Sequence, residues 1–119
     1  MNETYLFSTL DPRGYTVHLS EKQYTEHIVG ESGHTEVPAS DIKKAIESPT
    51  AIYASSKFPD TDVYFSKTSS IYPPLYVKVA VNIFDNDKTG DVRTSFLSKS
   101  ISGAIDVRRL KYLEINNKL

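Results

Sequence analysis

LYVKVAVNIF, residues 75–84, sets Leu75, Val77, Val79, Val81 and Ile83 along one side of an extended chain and Tyr76, Lys78, Ala80 and Asn82 along the other. An aliphatic row at a period of two, rich in valine, predicts a long strand whose first row lies in the core. Three further stretches read the same way: AIYAS (51–55), DVYFSK (62–67) and DVRTSFL (91–97). In the last of these, strict alternation groups Val92, Thr94 and Phe96 on one face and Arg93 with Ser95 on the other.

The connection between the long strand and the last one contains DNDKTG (85–90). Asp85, Asp87, Thr89 and Gly90 occupy positions one, three, five and six of a calcium-binding loop, but position twelve is Phe96 where a bidentate glutamate is needed. The flanks are strand-like, so the stretch is expected to be a hairpin turn.

Toward the N-terminus, TYLFSTL (4–10) and GYTVHLS (14–20) flank the turn signal DPR and predict a short antiparallel pair. Ser20 and Gln23 have capping-box spacing and Glu21 lies in the first turn, which predicts a helix from about Glu21 to Val29 that Gly30 and Gly33 end. A second helix follows Pro38, with Ser40 or Asp41 as cap, a stripe of Ile42, Ala45 and Ile46, and Pro49 as its stop. Helices first and strands afterwards predict an α+β fold with the helices on one face of a sheet. Residues 104–119 fit helix and strand equally.

At 119 residues and 13.4 kDa the chain has the size of one domain with a single core, here expected over about residues 15–98. It has no cysteine, which excludes disulfides, thiolate metal sites and a cysteine nucleophile. No apolar run approaches a membrane span and the N-terminus lacks signal-peptide character, so a cytoplasmic location is expected. A net charge of −1 argues against holding nucleic acid by a broad positive field and leaves room for a local basic site.

His27 and His34 bracket the helix break, seven residues apart. On a continuous helix that is about 10 Å, too far for one metal ion, and no HxxxH or HExxH pattern is present. Imidazoles titrate near neutral pH, so both could serve as acid and base in one cleft, or be a helix-edge and a turn residue. His18 alternates away from Val17 and Leu19 and reads as a surface or sheet-packing residue. Arg93, Thr94 and Ser95 gather a cation and hydroxyl donors suited to phosphate, while Lys67, Tyr64 and Tyr53 offer a charge and aromatic surface for bases.

The order HI (27–28), HTE (34–36), IKKAIESPTAIY (42–53), DVYFSK, LYVKVAVNIF and DVRTSF resembles the phage-associated branch of the barnase, EndoU, colicin and RelE-like (BECR) ribonuclease superfamily. The resemblance spans about residues 15–98. It implies N-terminal helices packed on a four-stranded, or slightly larger, antiparallel sheet. It also implies a metal-independent, toxin-like endoribonuclease that cleaves tRNA or other cellular RNA by 2'-OH attack on the adjacent phosphate. His27, His34, Arg93, Thr94 and Ser95 would be catalytic, and Glu36 would bind substrate; position adds Lys67 and Tyr64 as binding residues. Neither a cofactor nor a metal is expected; RNA is the expected partner, with an immunity or antitoxin protein beside it. Thr35 stands where the family usually has proline, and TSF where it often has TAY. A non-catalytic RNA- or protein-binding module is therefore the alternative, and metal-assisted hydrolysis through His27, His34 and Glu36 a third reading.

Overall fold

The computed structural model describes residues 4–29, 37–67, 75–99 and 105–114. Seven strands form one mixed sheet: β1 (Tyr5–Leu10), β2 (Thr16–Ser20), β3 (Ala51–Ser55), β4 (Thr61–Ser66), β5 (Tyr76–Phe84), β6 (Thr89–Ser98) and β7 (Ile105–Leu113). Their order across the sheet is β1-β2-β6-β5-β4-β3-β7. All neighbours are antiparallel except β2 and β6, which run parallel through Thr16–Thr89, Val17–Gly90 and His18–Asp91. Two short helices accompany the sheet among the described residues. α1 (Glu21–Gln23) makes a single α-turn and continues as a π-helical segment (Tyr24–Val29), and α2 spans Ala39–Glu47.

This overturns the expected arrangement of N-terminal helices on a four-stranded antiparallel sheet. The N-terminal hairpin extends the main sheet through the parallel β2–β6 junction, and the tail adds β7 beside β3, giving, among the described residues, seven strands and two short helices. The physical reason is that both added contacts join residues far apart in sequence, while local hydrophobic patterning reports only on the strand that carries it.

Local chemistry accounts for the elements themselves. Ser20 caps α1, its hydroxyl accepting from the Gln23 N–H at 3.0 Å. Ile42, Ala45 and Ile46 are fully buried on one stripe of α2, as their spacing predicts. Each isoleucine side chain there contributes on the order of 1.5–3 kcal/mol by leaving water. They pack on the inner face of the sheet with Val17, Leu19, Ile52, Tyr64, Val77, Val79, Val81 and Val92. The DNDKTG stretch is the β5–β6 hairpin, with Lys88 in the left-handed region at φ 55°.

The outer face is not simply a solvent face. Val63, Ala80 and Ile105 form a second small cluster there, with Tyr53 packed against it. Lys78 is fully buried, flanked across the strands by Phe65 and Phe96, and burial pushes its pKa down.

Candidate functional site

The site begins with an irregularity in β6. Ala80 pairs with Thr94 and Val81 with Val92, so Arg93 is an extra residue with no partner in β5, a β-bulge. The bulge breaks strict alternation: Val92 and Ser95 lie on the inner face beside Val81 and Val79, while Thr94 and Phe96 lie on the outer face beside Ala80 and Lys78. Arg93 joins the outer face, its guanidinium 3.8 Å from the ring centroid of Phe58. The Gln23 side-chain amide of α1 donates to the Arg93 carbonyl, so the capped helix end holds the bulge in place.

Arg93 stands between two adjoining clefts. One, of about 200 Å³, is lined by Tyr5, His18, Gln23, Asn82, Asp91 and Arg93 among others. The other, of about 340 Å³, is lined by Phe58, Asp60, Thr61, Asn82, Phe84 and Arg93 among others. In the first, His18 stacks on Tyr5 with ring centroids 4.7 Å apart and planes 18° from parallel, and its Nδ1 lies 2.6 Å from the Ser8 hydroxyl. Between the clefts, the Thr61 hydroxyl donates to the Asn82 side-chain oxygen at 2.9 Å, which leaves the amide N–H groups of Asn82 to donate to a ligand. The ensemble offers exposed aromatic rings on both sides of a fixed cation, with amide donors and two carboxylates, Asp91 and Asp60, in the walls.

The residues singled out from sequence are dispersed. Arg93 and Thr94 share the outer face. Ser95 is on the opposite side of the sheet from Arg93, buried, with its hydroxyl donating to the Lys78 carbonyl at 2.8 Å, so it does not meet a phosphate held by Arg93. Tyr64 is fully buried on the inner face and presents no ring for stacking. Lys67 is exposed just past β4, its N–H on the Thr50 hydroxyl at 3.2 Å, about 20 Å along the strand from the Thr61 end where the clefts lie. For His27 the backbone lies in the π-helical segment and its side chain is not described; His34 and Glu36 lie outside the described residues.

Sequence reasoning missed His18, Tyr5, Asn82 and Phe58. The outward alternation of His18 was legible, but its value depends on the parallel pairing with Asp91, which brings it beside the bulge. Also missed was a buried polar network on the inner face. Asp11, whose side chain is wholly buried, accepts from the backbone N–H groups of Arg13 and Tyr15 and from the Tyr64 hydroxyl. Arg13 bridges Asp11 and Asp62 with contacts at 3.1 and 3.0 Å and donates to the Tyr64 hydroxyl at 3.0 Å. The Tyr15 hydroxyl donates to Asp85 at 2.6 Å. Burial and then the Asp11 bond push the Tyr64 phenol up, and the Asp85 bond followed by burial does so for Tyr15. With every partner in place this network fastens the β1–β2 turn to β4 and the β5–β6 hairpin.

Among the described residues, no group of three or more His, Cys, Asp or Glu side chains is placed to hold a metal, and no helix is long and apolar enough to cross a membrane. Compared with known proteins, the chain matches no family model, no curated protein and no solved structure.

Proposed function

We propose that the chain is a non-catalytic RNA-binding module that grips unstacked bases of a single strand on the outer sheet face. The observation that carries this reading is Arg93: set out by a bulge, stacked on Phe58, and shared by two clefts that also carry Tyr5, His18, Phe84 and Asn82. Aromatic rings and arginine planes stack bases whatever their identity, and amide donors meet base edges or phosphate oxygens. With Asp91 and Asp60 in the walls and a net charge of −1, backbone neutralisation contributes little, so stacking carries the affinity.

The test is fluorescence anisotropy of labelled single-stranded RNA. Arg93→Ala and Tyr5→Ala are each expected to weaken binding at least about tenfold, which corresponds to about 1.4 kcal/mol. One phosphate contact, to Arg93, gives a slope of log K against log salt near −0.7. Unchanged affinity in both variants would overturn the reading.

A second reading, RNA cleavage, is favoured by one observation: His18 lies in the same cleft as Arg93 with one ring nitrogen engaged by Ser8. The other nitrogen could take the 2'-OH proton while Arg93 steadies the charged phosphorane. A toxin-like enzyme of this kind would have an immunity or antitoxin partner. Chelator-resistant cleavage leaving 2',3'-cyclic phosphate ends, lost in His18→Ala and in Arg93→Ala, would replace the binding reading with this one.

A further inference from the structure

β7 closes the sheet on the side remote from the clefts, with β3, β4 and β5 between it and β6. Only one of its edges has a strand partner among the described residues. The strand is unusual in what it leaves in solvent: Val107, Leu110 and Leu113 are 59%, 47% and 52% exposed, and Arg108, Arg109 and Lys111 are exposed among them. From the register, Leu110 and Leu113 extend the outer-face row that holds Tyr53 and Ala51. The result is an apolar strip with cations along its border.

Basic residues on an edge strand commonly serve to prevent strand-to-strand aggregation, and the register shifts in β7 act the same way. Three exposed aliphatic side chains in the same strand work against that purpose, because they supply the surface that a partner would bury. The chemistry around Arg108 shows what such a partner would offer. The Asp106 carboxylate accepts from the Arg108 N–H at 3.1 Å and approaches its Nε at 3.5 Å, so a carboxylate is already seated against this edge. Arg109 and Lys111 have no ion-pair partner among the described residues.

We propose that β7 is a docking strip for an acidic, aliphatic-bearing extended segment of another protein. Carboxylates of the segment meet Arg109 and Lys111, and its aliphatic side chains cover Leu110 and Leu113. A second copy of this chain fits poorly. β7 carries Arg108, Arg109 and Lys111 against a single acid, Asp106, so any β7–β7 pairing brings together two strands that both carry net positive charge. β1, the other terminal strand, reads YLFSTL and carries no acidic residue to neutralise β7. Charge complementarity therefore selects an acidic partner. This inference is independent of the RNA reading, since Arg93 takes no part in it.

The test uses a labelled eight-residue peptide alternating glutamate and valine, its lysine–valine counterpart, and an eight-nucleotide oligouridylate as competitor. Expected are at least tenfold tighter binding of the acidic peptide than the basic one, and at least tenfold loss in the Arg109→Glu, Lys111→Glu double variant and in Leu110→Ser. Arg93→Ala should bind the peptide as wild type does. All sites except Arg93 are exposed, and a thermal melt confirms that each variant folds. Equal binding of the two peptides, or binding unchanged in the variants, overturns the proposal. Competition by oligouridylate that is lost in the double variant reassigns the strip to nucleic acid, and a dimer in sedimentation that the double variant abolishes reassigns it to a second copy.

Discussion

Replacing Arg13 with methionine tests whether the buried polar network fastens the N-terminal hairpin to the sheet. The substitution keeps most of the apolar stem and removes the guanidinium that bridges Asp11 and Asp62 and donates to Tyr64. Removing one partner of a buried ion pair costs about 3–5 kcal/mol, because the remaining charge stays in a poorly solvated place. Here Asp11 keeps two backbone N–H donors and the Tyr64 hydroxyl, and the Arg13 side chain is itself 18% exposed, which places the expected loss near the lower end, about 3 kcal/mol. Equilibrium unfolding in urea reads this directly. With a slope of about 1.5 kcal/mol/M for a chain of this size, the midpoint should fall by about 2 M with the slope unchanged. Arg13→Lys keeps the charge but loses the planar fork that reaches both carboxylates and the phenol, and should fall between the two. A midpoint shift below about 0.5 M in Arg13→Met would refute the reasoning and make the network an ordinary surface ion pair.

The part of the stability that Tyr64 and Tyr15 supply should be lost at alkaline pH, while buried Lys78 acts in the opposite sense up to the ordinary lysine value. The folded state holds the Tyr64 and Tyr15 protons above the ordinary phenol value, so the stabilisation is complete below about pH 10 and is lost above it, as the unfolded chain alone ionises. Tyr64 accounts for about 1.4 kcal/mol per pH unit in that range; urea melts at pH 9 to 11 should show a steeper decline for wild type than for Tyr64→Phe. Gly90→Ala should destabilise by about 1–3 kcal/mol in the same assay, because the new Cβ meets Val81 Cγ1 at 2.8 Å and the Asn82 carbonyl at 3.1 Å at the point where β2 joins β6. Ser95→Ala should leave RNA affinity within twofold in the anisotropy assay, since its hydroxyl is committed to the Lys78 carbonyl on the inner face.

What was legible in the sequence follows a physical line. The alternation in β5 and the stripe of α2 are local patterns, and both residue rows are where the spacing places them. Ser20 was legible as a cap for the same reason. The parallel junction of residues 16–18 with 89–91 and the addition of β7 to β3 are long-range pairings that leave no local signature, and they changed the sheet from four strands to seven. At the site, one extra residue at Arg93 reversed the faces that alternation assigned to Ser95. DPR reads as a turn and is one, but the turn hides that Asp11 and Arg13 point inward to Asp62 and Tyr64, some fifty residues on. Alternation puts Lys78 in the row opposite the core and does not show that it is buried; the second apolar cluster on the outer face makes the difference.

The most direct test of the central claim is a titration of isotope-labelled protein with a short single-stranded RNA, followed by amide and side-chain NMR shifts. The account predicts that saturable shifts cluster at Tyr5, His18, Phe58, Asn82 and Arg93, with α2 on the far face of the sheet unmoved. Shifts confined to α2 or β7, or none at millimolar RNA, would contradict it.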